Sequence, residues 1–245
     1  MKTIILIPSR LSATRLPGKP LLKINGLSII SHVFKKAVET KIGDVYVAAE
    51  DQEIINDIKQ NGGQAIKTSK HNKTGTDRIY EALNKIGKSN IDLVINLQGD
   101  EPLMNVNDIK SLHKHMVKNK SMMGTLASNI TCKDIYKDKN VVKVVTRENL
   151  DSSKFPKALN FYRDFKNIKK NVYHHLGIYC YQLDILEKFV SLQQSQNEIK
   201  NKLEQLRALD NNIEINVSLA KENPIGVDTE KDFVAIKKIM EYKSK

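Results

Sequence analysis

Three cations stand within ten residues near the start of the chain: Arg10, Arg15 and Lys19, in the stretch IPSRLSATRLPGKPL (residues 7–21). They follow the apolar run Ile4–Ile7 directly, and Pro8, Pro17 and Gly18 interrupt the chain among them. An arginine presents a rigid fork to phosphate or carboxylate oxygens, and a lysine presents a point charge. A glycine lets backbone N–H groups come close to an anion. Phosphate is the ligand this combination suits; a plain βα loop with surface cations is the alternative reading. Two familiar phosphate motifs are missing, since neither G-x-G-x-x-G nor G-x-x-x-x-G-K-[ST] follows the first apolar run. The loop also runs long before the next helical stretch, so phosphates there would be gripped by side chains as well as by backbone.

Carboxylates recur at comparable places. Asp100 lies in LQGDEPL, where an apolar run ends and Pro102 stops it. A carboxylate in that position can hold Mg²⁺, a hard cation that takes oxygen ligands and bridges to phosphates, or it can simply belong to a Gly-Asp turn. Asp228, in GVDTEKD, is a second candidate and equally a candidate N-cap for the last helix. A third loop, TGTDR (residues 74–78), puts Arg78 at the start of a helix, with Thr76 or Asp77 able to initiate it.

The elements that must position these groups follow from hydrophobic period. TIILIP reads as a buried strand. LSIISHVFKKAVE sets Ile29, Ile30, Val33, Phe34, Ala37 and Val38 on one helical face. DVYVAA is a strand, EIINDIKQNGG a helix with Ile54, Ile55 and Ile58 inward and Gly62 as its stop, and AIKT a short strand. DRIYEALNKIG is a helix, DLVINL a strand, and NDIKSLHKHMVKN a helix capped by Asn107. This alternation predicts an α/β protein with a doubly wound, mainly parallel sheet. The second half is less regular. GTLASNI, NVVKVVT, ALNFYR, HLGIYCY and EINVSLA read as strands, and QLDILEKFVSL, EIKNKLEQLRALD and KDFVAIKKIMEYK as helices. One domain spanning residues 1–245, with an embedded α+β subdomain near 150–215, accommodates both halves. Ligands of such sheets bind beyond the carboxyl ends of the strands, where the first loop lies.

Composition narrows the class. The net charge is +12, from 40 basic and 28 acidic residues, which raises the possibility of a nucleic-acid binder. Only six of the basic residues are arginine, and the lysines are scattered without long runs or interleaved aromatics, so no specific nucleic-acid partner is expected. No run of 18 apolar residues suggests a membrane span. The N-terminal apolar run is too short for a signal peptide, and the two cysteines, Cys132 and Cys180, have neither metal nor disulfide-framework spacing, so a reducing cytoplasm is expected.

Six segments, IPSRLSATRLPGKPL, TGTDR, NLQGDEP, HLGIY, LEQLRAL and VDTEKD, occur in order along the chain. Together they resemble the 3-deoxy-manno-octulosonate cytidylyltransferase (CMP-Kdo synthetase) family, and HLGIY and LEQLR point to that branch of the sugar nucleotidyltransferases. The resemblance implies a Rossmann-like nucleotidyltransferase fold and an enzyme that makes CMP-Kdo and pyrophosphate from CTP and Kdo for lipopolysaccharide synthesis, acting as a homodimer. It implies that Pro8, Ser9, Arg10, Arg15, Lys19, Thr74, Gly75, Arg78 and Gln98 bind the nucleotide. It further implies that Asp100 and Asp228 bind Mg²⁺, that Arg10 and Lys19 act with them in catalysis, and that Arg163, His175, Tyr179, Glu204 and Gln205 bind the sugar. Two departures stand out. NFYRDFKNIKKN is shorter than the family's usual stretch and lacks its proline, which leaves an 8-amino Kdo or a sialic-acid-like sugar as alternative substrates. Position 9 is Ser where the family commonly has Ala.

Overall fold

The N-terminal apolar run forms the strand β1 (Thr3–Ser9) in a computed structural model that describes residues 1–12, 15–132, 134–164, 170–224 and 226–243. The chain divides into two compact units: one holds residues 2–91, 95–107 and 224–245, the other residue 1, 92–94 and 108–223.

In the first unit, β1 is followed by a 3-10 turn (Lys19–Leu21) and a small hairpin, β2 (Lys23–Ile24) and β3 (Leu27–Ser28). Then come α1 (Ile29–Glu39), β4 (Asp44–Ala49), α2 (Gln52–Gln60), β5 (Ala65–Lys67), α3 (Gly75–Ile86) and the last two residues of β6 (Leu93–Asn96), whose first two are assigned to the other unit. β4 runs parallel to both β1 and β5, in a register that ends with Ser9 opposite Ala49. Beyond β6, the Leu97 N–H donates to Leu6 O at 3.1 Å. The apolar strands expected here are found, and Ile4–Ile7 are buried throughout, as continuous runs in parallel sheets must be.

Two local expectations are corrected. Val38 is 48% exposed, not on the buried face of α1. It lies nine residues from Ile29, which at about 100° per residue is half a turn away from it. The cap before residue 107 is Asn105, whose Oδ1 accepts the Asn107 N–H at 2.8 Å.

The second unit carries most of α4 (Val106–Asn119), then β7 (Met123–Ser128), α5 (Asp134–Lys137), β8 (Lys143–Thr146), β9 (Ala158–Tyr162) and β10 (Val172–Gln182). It continues with α6 (Leu183–Ser191), α7 (Gln196–Asn201), α8 (Gln205–Asp210) and β11 (Ile215–Leu219). β11 is parallel to β7, whereas β10 is antiparallel to β7 and β8, and β9 is antiparallel to β8. Residues 150–215 fall inside this mixed α+β unit. EIKNKLEQLRALD is not one helix: Lys202 turns left-handed (φ 54°) and separates α7 from α8. The chain then returns to the first unit with α9 (Glu230–Lys243).

Candidate active site

A cleft of about 400 Å³ opens at the carboxyl ends of the first unit's strands. Pro8, Ser9, Arg10, Arg15, Lys19, Thr74, Gly75, Arg78, Gln98, Asp100 and Asp228 all line it. The structure thus brings together every nucleotide and metal candidate named from the sequence. Two glycines permit the approach of the walls. A Cβ on Gly99 would meet Pro8 O at 2.8 Å, and one on Gly75 would meet Pro8 Cγ at 3.3 Å.

The first loop is tied at its base. The Leu11 N–H donates to Asp51 Oδ2 at 2.7 Å, and Leu11 O accepts the Gly18 N–H at 3.1 Å. Gly18 is left-handed (φ 72°), a conformation glycine adopts without cost, and it starts the 3-10 turn that carries Lys19. Lys19 is aimed at carboxylates: its Nζ lies 2.6 Å from Asp100 Oδ2 and 3.5 Å from Asp228 Oδ1. Arg15 reaches Asp228 Oδ1 at 3.0 Å.

Asp228 comes to this place by packing. Val227 is fully buried in an apolar cluster with Ile24, Ile29 and Ile236, and its N–H donates to Asp100 O at 2.9 Å. The alternative of Asp228 as helix cap does not hold. Thr229 caps α9, accepting the Asp232 N–H on Oγ1 (3.3 Å), while Asp232 Oδ2 accepts the Thr229 N–H (2.8 Å). The Asp228 carboxylate is left to the cleft. α3 is capped likewise, by Thr74 and Asp77 rather than by Thr76, which puts Thr74 and Gly75 at the cleft edge.

Three residues near this site were not singled out from the sequence, and only Glu101 lies within a segment quoted there. Glu50 forms a buried ion pair with Arg78, whose other amino group donates to Thr68 Oγ1 at 2.8 Å. Glu50 Oε1 also accepts from Ser12 Oγ at 3.3 Å, so the pair connects to the first loop. Asp51 holds Leu11, as described. Glu101 follows Asp100, and its Oε2 is shut off from solvent with no hydrogen-bond partner among the described residues. Burial, and then the charges of Asp100 and Asp228, push its carboxyl up to about 8, with Lys19 opposing. Glu50 and Asp51 stand at the end of a strand, as Asp100 does. That position was the one signal that could have found them.

Oxygen donors that face one cation suit a hard divalent ion. Asp100 and Asp228 share the Lys19 ammonium, and among the described residues Glu101 Oε2 is unpartnered and no thiolate or imidazole lines the cleft. Among the described residues no group of three or more His, Cys, Asp or Glu forms a ready-made cage. Mg²⁺ seldom needs one, since it binds through one or two carboxylates and completes its shell with water and substrate phosphates.

The sugar candidates lie in the second unit. His175 and Tyr179 share a strand face, as their spacing implies, with ring centroids 5.5 Å apart. His175 packs edge-on against Phe161, and its Nε2 is 3.0 Å from Thr125 Oγ1. Thr125 commits its proton to a carbonyl, Ile178 O at 2.7 Å, so the network assigns the proton between them to His175 Nε2. Burial, helped by His174, lowers its pKa to about 3. Burial likewise raises the Tyr179 phenol well above its ordinary value, with further contributions from Tyr181 and Glu204. Arg163 donates to two backbone carbonyls, Lys139 O (3.4 Å) and Lys202 O (3.2 Å), and its own carbonyl accepts from the buried Lys143 Nζ at 2.8 Å. Gln205 is buried at the start of α8, and Glu204 is the residue before it. Most of the altered stretch after Arg163, residues 165–169, lies outside the described residues. Arg207, in LEQLRAL, turns inward. It grips Glu198 through Nε and an amino group at 2.8 and 2.6 Å, fastening α8 to α7.

Comparison with known proteins shows the family and the fold. Residues 4–215 match the family described as Cytidylyltransferase. The 3-deoxy-manno-octulosonate cytidylyltransferase of Thermodesulfovibrio yellowstonii is 40% identical, over 98% of both chains. That of Afipia carboxidovorans is also 40% identical, over 97% of this chain and 96% of its own. Among solved structures, a CMP:2-keto-3-deoxy-manno-octonic acid synthetase complexed with CTP superposes with a TM-score of 0.90 at 32% identity, covering 99% of this chain and all of its own. An apo UDP-glucose pyrophosphorylase, 13% identical over the full length of both chains, shares the fold with a TM-score of 0.72.

Proposed function

Since the chain belongs to the cytidylyltransferase family, we propose that it transfers CMP from CTP to the anomeric hydroxyl of 3-deoxy-D-manno-octulosonate and releases pyrophosphate. The observation that carries this reading is the cleft in which cations from the first loop meet Asp100 and Asp228. In the reaction the hydroxyl oxygen bonds to the α-phosphorus, the bond from that phosphorus to the departing pyrophosphate breaks, and the hydroxyl proton passes to solvent water. Such a displacement needs in-line placement and stabilisation of phosphate charge more than a covalent catalyst. Arg10 and Arg15 grip the nucleotide phosphates. Lys19 stabilises charge that grows on the leaving group, and its restrained position beside Gly18 keeps it aimed there. Pro8, Ser9, Thr74, Gly75, Arg78 and Gln98 form the nucleoside side of the cleft. Asp100 and Asp228 would hold Mg²⁺, which neutralises phosphate charge when bound. Arg163, His175, Tyr179, Glu204 and Gln205 take the sugar acid, with a cation for its carboxylate and mixed donors and acceptors for its hydroxyls. We place the enzyme in the cytoplasm as a homodimer serving lipopolysaccharide synthesis.

The test is pyrophosphate release with CTP, Mg²⁺ and a panel of sugar acids: Kdo, 8-amino Kdo and a sialic acid. Kdo is expected to turn over fastest, and UTP, ATP or GTP to replace CTP poorly. Faster turnover of another sugar acid reassigns the substrate. Equal use of ATP, or no release with any acid, overturns the reading.

A further inference from the structure

A second cavity, of about 430 Å³, lies wholly within the second unit. One wall is a face of α4 that carries Lys114, His115 and Lys118, and the other is the stretch Ser153, Lys154 and Phe155 ahead of β9. Both walls are tied to β11. Asn216 Nδ2 donates to Phe155 O at 2.8 Å, the Val217 N–H donates to Pro156 O at 2.9 Å, and the buried Ser218 Oγ lies 2.9 Å from His115 Nδ1. The Phe155 ring sits against Gly124 of β7, where a Cβ would stand 2.9 Å from its Cζ, and its centroid is 5.2 Å from that of His115. The groups that frame the cavity are thus anchored before any ligand arrives.

The charge around it is one-sided. No aspartate or glutamate lines the cavity, and among the described residues none of its three lysines makes an ion pair. Lysines elsewhere do find partners: Lys85 pairs with Glu81, Lys139 with Asp164 and Lys157 with Glu214. Lys114 and Lys118 stand four apart on one helix, where like charges oppose each other. The carboxyl end of α4 favours Lys118, in its last turn, but Lys114 lies further back and Lys154 belongs to no helix. Burial, and then Lys154, Lys114 and Lys118, push the His115 pKa down, so three charges from two distant segments converge on one ring. An anion in the cavity would offset their repulsion. Three ammonium groups, with the hydroxyls of Ser111 and Ser153, suit phosphate oxygens, which accept several charge-assisted bonds at once. A lone carboxylate brings one charge for three cations. The cations surround a single cavity and form no stripe, which suits a small ligand and not a nucleic-acid backbone. We propose that this cavity is a second anion site, sharing no residue with the cleft, that binds a small, multiply charged phosphate.

The experiment follows the His115 ring by NMR, with its signals assigned by their loss in His115→Gln, while inorganic pyrophosphate is added at constant ionic strength. The wild-type signals are expected to shift with half-saturation below about 1 mM. The double variant Lys114→Met, Lys154→Met should weaken that response at least about tenfold, the scale of lost charge-assisted bonds. Lys59→Met, Lys200→Met removes the same charge from exposed positions outside the cavity and should leave the response within about twofold of wild type. Lys19→Ala, in the cleft, should leave it unchanged. No His115 shift up to about 10 mM pyrophosphate overturns the proposal. An equal loss in both double variants does so too, because it would mean diffuse attraction, and a loss in Lys19→Ala would trace the shift to the cleft. Vesicles containing phosphatidic acid and a single-stranded oligonucleotide separate the other sources of phosphate. If either binds through Lys114 and Lys154 while pyrophosphate leaves His115 unmoved, the patch is a membrane or nucleic-acid surface and the small-ligand site falls.

Discussion

Arg78–Glu50 and Arg207–Glu198 are the same chemistry put to two uses. Both pairs are buried, with the two arginine side chains 3% and 4% exposed. The Arg207 pair lies away from the cleft. Glu198 also accepts from Gln194 Nε2 (3.1 Å) and the Ser195 N–H (3.2 Å), the guanidinium lies over Phe189 of α6, and Glu204 Oε1 is 3.8 Å from it, so these contacts fasten α7 and α8 to each other and to α6. The Arg78 pair is open on one side. Arg78 lines the cleft, and Glu50 reaches out to Ser12 on the first loop. A buried ion pair stabilises little beyond an apolar substitute, yet losing one partner costs about 3–5 kcal/mol because the other charge is stranded. The energetic signature of the two pairs should therefore be alike, and their functional signature different.

Breaking each pair gives the largest expected effects. Arg78→Met and Arg207→Met should each lower unfolding free energy by about 3–5 kcal/mol in urea titrations. Arg78→Met should in addition raise the KM for CTP, whereas Arg207→Met should leave it within about twofold of wild type at temperatures where both are folded. Equal CTP effects would mean that both pairs are scaffolding alone.

The carboxylates that line the same cleft as Arg78 sharpen the contrast, for they should cost function without stability. Asp228→Asn and Asp100→Asn should each lower kcat about a hundredfold, the scale of one lost electrostatic contact to a transition state. The unfolding free energy of Asp228→Asn should stay within about 0.5 kcal/mol of wild type, because its side chain is half-exposed and caps no helix. A variant that keeps kcat and merely melts lower would restore Asp228 to the role of helix cap.

The smallest effect belongs to the second unit. His175 is held neutral, with a pKa near 3 against 6.5 unperturbed. The fold then contributes stability that is whole above pH 6.5 and is lost as pH falls below it toward 3. The loss should approach about 1 kcal/mol for each pH unit below 6, and His175→Gln should flatten that slope in melts between pH 7 and 5. A variant with the wild-type slope would assign the acid sensitivity to other groups.

The sequence showed the strands well because continuous apolar runs such as Ile4–Ile7 admit few other solutions, and it showed the cleft because strand-end loops carry unusual residues in order. It hid what depends on distant partners. Glu50 meets Arg78 across 28 positions and Leu11 meets Asp51 across 40, with no local pattern to announce either. The break at Lys202 was equally silent, since a lysine gives no turn signal of the kind glycine or asparagine gives. Asp228 was ambiguous for a different reason. Asp-Thr offers two possible caps, and only the bonds between Thr229 and Asp232 decide between them.

The peptide of Leu11 is held from both sides, its N–H by Asp51 and its C=O by the Gly18 N–H. It forms a neck, and a neck separates a loop's length from its footing. Adding or removing residues between Ser12 and Pro17 changes the entropy of closing the loop only slowly, because that entropy grows as the logarithm of length. Arg10 lies before the neck, and Lys19 stands on the turn just after it. The stretch between them carries Arg15 and is thus a place where insertions and deletions can move Arg15 while Arg10 and Lys19 keep their footing.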